Sequence, residues 1–245
     1  MTTPLTLITG ASRGLGLAVA EQLLQQGHRV LALSRRAPNF QHGALTAWTV
    51  DLADTAAVAA RLEDWLRQID PASVTAVTLI NNAGVVSTPA PLSAGTAAEL
   101  SNALRVGLEA PLLLSAAFLR ATQSWRAPRK LLFVSSGLGR RAMAGSASYC
   151  AAKAGMDHLA RAIALEEAGL PNGARVVSLA PGVIDTDMQV QLRSADPALF
   201  PERERFIGLH TGGLLDSPAA AAAKLLKYLE RADFGTQPVA DVRDA

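Results

Sequence analysis

Short, near-continuously apolar runs recur along the chain: "LTLIT" (5–9), "RVLALS" (29–34), "LTAWTV" (45–50), "VTAVTLI" (74–80), "KLLFVS" (130–135) and "ARVVSLA" (174–180). Parallel strands covered on both faces lack strict polar alternation, so each run predicts such a strand. Between them, apolar residues return at helical spacing in "LGLAVAEQLLQQG" (15–27), "DTAAVAARLEDWLRQI" (54–69) and the long stretch 97–125. Gly27 and Gly169 stand where helix C-terminal caps are useful. Strands alternating with helices predict a Rossmann-type, doubly wound parallel α/β sheet of about seven strands, with helices on both faces. No repeat or interior linker interrupts the alternation, so residues 1–245 are expected to form one domain.

The last third departs from this rhythm. Residues 185–216 are too long and mixed for an ordinary connection, and insertions at such a point in an α/β domain are often lids over a site. Its apolar residues Met188, Leu192, Leu199, Phe200, Phe206, Ile207 and Leu209 suit either a pocket wall for an aromatic ketone or ordinary packing of the lid. The pattern restarts at "SPAAAAAKLLKYLE" (217–230), with Ser217 as N-cap and Pro218 in the first turn. A short final strand is expected within "QPVADV".

Composition narrows the function classes. The chain is 49% hydrophobic with a formal net charge of +2, too small and dispersed for nucleic acid or an anionic membrane as partner. Cys150 is the only cysteine, so no internal disulfide forms. The N-terminus runs straight into a strand pattern, and no uninterrupted apolar segment has spanning length. A cytoplasmic location is the expectation, and no metal-ligand cluster stands out.

The first strand ends in "TGASRGLG", which places Gly10, Ser12, Arg13, Gly14, Leu15 and Gly16 at a strand-to-helix turn. Glycines there let backbone N–H groups and the helix dipole meet a pyrophosphate. The second strand ends in Ser34, Arg35 and Arg36 rather than in the carboxylate that a 2′-hydroxyl would require. Guanidinium groups bind a 2′-phosphate through charge-assisted hydrogen bonds, so NADP(H) is the expected cofactor, with Arg13 as a further cation. Farther along, "SASYCAAKAG" (146–155) sets Tyr149 and Lys153 one helical turn apart on a common face. A buried tyrosine beside a solvated lysine is the plain explanation. The sharper one is a proton donor whose high phenol pKa is brought towards the working range by the ammonium.

TGxxxGxG (9–16), "DL" (51–52), "NNAG" (81–84), "SSG" (135–137), YxxxK (149–153) and "PG" (181–182) occur in this order, and the chain resembles the short-chain dehydrogenase/reductase family along essentially its whole length. The resemblance implies that Asp51 and Leu52 flank the adenine, that Asn82, Ala83 and Gly84 steady the sheet beside the cofactor, and that Pro181, Gly182, Val183 and Thr186 border the nicotinamide. It further implies that Tyr149 donates a proton to a carbonyl oxygen and that Lys153 also reaches the ribose hydroxyls. Ser136 would bond the same carbonyl oxygen, with Ser135 as its competitor. One departure concerns the asparagine that many members carry in the central helix, because Gly107 falls there. Pro111, four residues on, has no N–H, so the Gly107 carbonyl would be left free to hold a relay water.

Within the family, "SYCAAKAGMD", "APGVIDTDMQ" and "FGTQPVADVRD" are similar to sepiapterin reductases and bacterial benzil reductases. That likeness implies NADPH-dependent reduction of a ketone or vicinal dicarbonyl. It also places Asp241 where a carboxylate anchors the guanidine-like edge of a pterin, although Asp241 reads equally well as a solvated tail residue. Reduction of an acyl thioester or sugar ketone is the alternative chemistry, with Arg140 and Arg141 as a candidate cationic patch. A non-catalytic NADP(H) sensor is the alternative class. The helices at 97–125 and 149–168 carry apolar residues on more than one face, so a homodimer is expected, with a homotetramer as the larger option.

Overall fold

The computed structural model describes residues 2–244. Its strands are β1 (Thr3–Thr9), β2 (Arg29–Ser34), β3 (Leu45–Thr49), β4 (Val74–Asn81), β5 (Arg129–Val134), β6 (Arg175–Ala180) and β7 (Val239–Asp241). They form one seven-stranded parallel sheet in the order β3-β2-β1-β4-β5-β6-β7. The chain reverses direction across the sheet between β1 and β4. At such a switch point the strand ends diverge and leave a crevice.

Successive strand side chains point to opposite faces, and here both faces are covered. Leu5, Leu7, Leu31, Leu33, Leu79, Leu131 and Phe133 pack under α2 (Thr55–Arg67), α4 (Ala110–Thr122) and α5 (Ala147–Glu167). Ile8, Val30, Ala32, Ile80, Leu132 and Val177 pack under α1 (Gly14–Gln25) and α8 (Pro218–Leu229). Double coverage is why these strands read as unbroken apolar runs.

Three expectations shift in detail. The final strand is confined to Val239–Asp241. Gly27 does end α1 in a left-handed turn at φ +81°, but Gly169 has no positive φ and α5 is capped at Ala168. The stretch 97–125 is not one α-helix. It comprises α3 (Ala97–Leu104), a π-helical turn (Arg105–Glu109) and α4. By composition an 18-residue window within Ala97–Thr122, of mean hydropathy 1.3, would allow a membrane crossing, yet half of that window is buried inside the fold.

The segment after β6 is a loop closed at its neck. Ile184 bridges Asp216, and the Asp185 and Asp216 N–H groups donate across that neck. It carries α6 (Asp187–Arg193) and α7 (Arg203–Thr211). Phe200 and Phe206 stack at 5.7 Å between centroids and join Met143, Leu192 and the partly buried Cys150, Met188 and Leu209 in a third apolar cluster. Leu199 is instead exposed, while Met188, Leu192, Phe200, Phe206 and Leu209 of this loop pack in that cluster.

Candidate active site

The glycine-rich turn is fixed from several sides. The Gly10 N–H donates to the Leu33 carbonyl at 2.8 Å. Asn82 Nδ2 donates to the Thr9 carbonyl at 2.9 Å, and the N–H groups of Asn82 and Ala83 both donate to Thr9 Oγ1. Asn82 therefore holds the turn after β1 to the turn after β4. Gly16 is obligatory, because a Cβ there would lie 2.3 Å from the Gly10 carbonyl oxygen. Gly14 has φ +54° and faces Thr186, whose methyl lies 3.4 Å from where a Cβ would sit. The turn and the start of α1 thus lie together at the head of the sheet, an arrangement suited to a pyrophosphate.

The other expected cofactor residues divide into rim and core. Arg35 and Arg36 are exposed on the loop after β2, where Ser34 Oγ donates to the Arg36 carbonyl at 2.6 Å. Ser12, Gly84, Gly182 and Val183 are half-buried around the crevice, and Pro181 is buried beneath it. Asp51 is exposed and accepts from the Ala53 N–H at 2.9 Å. Leu15 and Leu52 are core residues, so only their backbones are available to a ligand. Arg13 reaches across to the lid, where its Nη1 donates to Asp187 Oδ2 at 2.5 Å.

Ser136, Tyr149 and Lys153 come from two adjoining elements. Ser136 begins the turn after β5 and accepts from the Leu138 N–H at 3.2 Å. Tyr149 and Lys153 lie in the first turns of α5, with Lys153 Nζ 5.6 Å from the Tyr149 ring centroid. The lysine is 3% exposed and donates to the Val134 carbonyl at 2.7 Å. Gly84 faces it, since a Cβ there would sit 3.7 Å from Nζ.

Burial decides the charges here. Desolvation pushes the Tyr149 phenol up to about 12, with the Ser136 hydroxyl pulling the other way. Desolvation also brings the Lys153 ammonium down to about 8, opposed by the negative charge of Asp157. In this arrangement the lysine turns its head to the Val134 carbonyl, and desolvation is the largest influence on the phenol. The tyrosine is held protonated.

Gly107 lies in the π-helical turn, where the Ala110 N–H donates to Arg105 five residues back. A Cβ at Gly107 would lie 3.0 Å from Ala152 Cβ, so close approach to α5 accounts for glycine at this position. Gly107→Asn is expected to destabilise the protein by about 1–3 kcal/mol through overpacking. Ala152→Gly should relieve part of that loss, which a double-mutant cycle on thermal unfolding would show as coupling.

Asp241 is neither solvated nor free. It is 6% exposed, and Arg243 Nε and Nη2 donate to its two oxygens at 2.8 and 2.6 Å. Arg140 Nη1 lies 3.9 Å from the same carboxylate. The Arg243 guanidinium beside it holds this carboxyl below the usual carboxylate range. Arg140 is likewise engaged, with Nε 3.3 Å from Asp157 Oδ2, so it is no free cation at a pocket mouth. Arg243 stands only two residues from Asp241, whereas the contacts of Arg140 with Asp157 and Asp241 join residues distant along the chain and carry no local sequence signal.

Comparison with known proteins agrees with this geometry. Residues 4–197 match the family described as short chain dehydrogenase. A benzil reductase ((S)-benzoin forming) of Bacillus subtilis (strain 168) is 36% identical over 227 residues, covering 93% of each chain. A sepiapterin reductase of Rattus norvegicus is 32% identical over 257 residues, covering 97% of this chain and 95% of the relative. The crystal structure of the KRED1-Pglu enzyme superposes with a TM-score of 0.80 at 25% identity, covering 96% of this chain and 99% of that one. With its parallel sheet, glycine-rich turn and paired tyrosine and lysine, the chain belongs to the short-chain dehydrogenase family and is an oxidoreductase of the CH–OH/C=O couple.

Proposed function

We propose that the protein is an NADPH-dependent carbonyl reductase acting on a neutral ketone or vicinal diketone of the benzil type. The observation that carries this reading is the buried Lys153 beside Tyr149, with the lysine facing Gly84. The cradle of Gly10, Gly14 and Gly16 and the exposed Arg35 and Arg36 fit a phosphorylated dinucleotide. When bound, the nicotinamide supplies the hydride. Ser136 then holds the substrate oxygen by a hydrogen bond, and Tyr149 delivers its phenolic proton to that oxygen as negative charge develops there. Lys153, charged below about pH 8, would offset the phenolate left behind, and the family resemblance assigns it the ribose hydroxyls as well.

Asp241 favours the neutral diketone over a pterin. Its carboxylate is already matched by a guanidinium from the same chain, so a guanidine-like substrate edge would have to displace Arg243. NADPH consumption with benzil and with sepiapterin tests the assignment. Turnover of benzil exceeding that of sepiapterin is expected, and failure with both would overturn the reading.

Arg35 and Arg36 are assigned to the 2′-phosphate. Arg35→Gln is expected to raise the KM for NADPH by about tenfold or more, the loss of one charge-assisted hydrogen bond, while leaving that for NADH nearly unchanged. Equal effects on both cofactors would remove the assignment.

The working form is proposed to be a homodimer, with a tetramer as the larger assembly. Leu104 and Leu112 are 40% and 44% exposed on the central helices, and Leu165 on α5 is 81% exposed. A second copy laid across these helices would cover them. The lone free thiol of Cys150 supports placement in the cytoplasm.

A further inference from the structure

Asp157 lies one turn beyond Lys153 on α5 and is 1% exposed. Its Oδ1 accepts from Ser135 Oγ at 2.5 Å and from Ser178 Oγ at 2.6 Å. Its Oδ2 is buried without a hydrogen-bond partner and faces Arg140 Nε at 3.3 Å. The turn 137–139 presses onto the same point, since a Cβ on Gly139 would lie 2.8 Å from Oδ2. The carboxylate thus joins the end of β5, the middle of β6, the catalytic helix and the turn that follows Ser136.

Two side chains of α5 clamp the backbone on which Ser136 stands. Lys153 holds the carbonyl of Val134, and Asp157 holds the hydroxyl of Ser135. Arg140 closes the arrangement from the far side of the turn. Its Nη2 donates to the Ala240 carbonyl at 2.7 Å and its Nη1 faces Asp241, which Arg243 also holds. A line of alternating charge therefore runs from the catalytic helix to the C-terminal strand: Asp157, Arg140, Asp241, Arg243.

We propose that Arg140 is a positioning residue that, through Asp157, couples the C-terminal segment 239–244 to the placement of Ser136 against Tyr149 and Lys153. The inference rests on the assignment of those three residues to carbonyl reduction. A buried carboxylate with one oxygen lacking a hydrogen bond needs a cation at that oxygen to stay where it is. Without Arg140, Oδ2 is left as a buried charge with no cation beside it, which strains the hydrogen bond Oδ1 accepts from the Ser135 hydroxyl and moves the adjacent Ser136 relative to the phenol. Displacements of about 1 Å at reacting groups cost up to about a hundredfold in rate.

The test compares wild type, Arg140→Met, Arg140→Lys and Asp157→Asn by kcat, NADPH affinity, thermal unfolding and amide hydrogen exchange. Arg140→Met is expected to lower kcat by about tenfold or more with NADPH affinity unchanged, and to raise exchange at 135–139 and at 239–244 together. Arg140→Lys keeps a cation at Asp157 and should recover most of kcat. The Arg140→Met, Asp157→Asn double variant should be no slower than the slower single one. Unchanged kcat per folded molecule, with only the unfolding temperature lowered, would overturn the proposal. If Arg140→Met does not fold, Arg243→Ala disturbs only the tail end of the line: raised exchange at 135–139 supports the coupling, and exchange raised at 239–244 alone overturns it. Absence of carbonyl turnover in the wild type would defeat the functional reading, while the exchange data would still decide the coupling.

Discussion

Tyr149→Phe should lower the rate of NADPH-dependent ketone reduction by about three orders of magnitude, the middle of the range a positioned proton donor contributes, while NADPH binds as tightly as before. The phenol is the group held protonated beside Ser136, and phenylalanine removes its hydroxyl while keeping the ring. The half-buried ring is retained, so the unfolding temperature should hardly move. Steady-state rates and a fluorescence titration with NADPH check both halves. Retained turnover would mean that another group supplies the proton.

Lys153→Met is expected to abolish turnover and, at the same time, to stabilise the fold at neutral pH. Burial lowers the Lys153 ammonium from its ordinary 10.5 to about 8. The folded state therefore binds the proton less tightly than the unfolded chain. A gap of that size corresponds to about 3 kcal/mol borne in full at neutral pH, and stability rises as pH increases from about 8 to about 10.5. Methionine removes the charge and fills much of the volume, but loses the bond to the Val134 carbonyl. A net gain of about 1–2 kcal/mol is expected, together with a flatter stability profile over that pH window. Denaturant unfolding at pH 7 and pH 10 measures both; a variant less stable than wild type at pH 7 would show that the hydrogen bond outweighs the buried charge.

The elements legible in the sequence were those whose physics is local. Strands β1, β2, β4, β5 and β6 stood out because burial on both faces leaves no polar alternation, and Ser217 with Pro218 announced α8, where the serine hydroxyl accepts from the Ala220 N–H. The glycine turn, the arginines after β2 and the spacing of Tyr149 and Lys153 were likewise readable, each being a short motif at an element boundary. The π-helical turn was only half visible: Pro111 signalled a missing donor, but the approach of Ala152 that excludes a side chain at Gly107 is tertiary.

What stayed hidden was the charge pairing. Arg140 reads as a surface cation because its partners Asp157 and Asp241 are distant in sequence; Asp241 reads as a tail residue or a substrate anchor although Arg243 stands two residues on, because proximity along the chain does not show that the pair is buried. The folded chain brings Asp157, Arg140, Asp241 and Arg243 into one line. The phenol illustrates the same limit, since spacing predicted the neighbouring lysine but not the desolvation that raises the phenol.

The central claim is that this site moves a hydride to a neutral carbonyl with Tyr149 supplying the proton. Its most direct test is a single turnover with enzyme in excess: NADPH is bound first, benzil is added, and cofactor oxidation is followed with NADPH and with cofactor deuterated at the transferring carbon. Stoichiometric oxidation that slows on deuteration is expected in the wild type, and almost none in Tyr149→Phe. Wild-type enzyme that binds NADPH and leaves it unoxidised, or a phenylalanine variant that oxidises it at the wild-type rate, would contradict it.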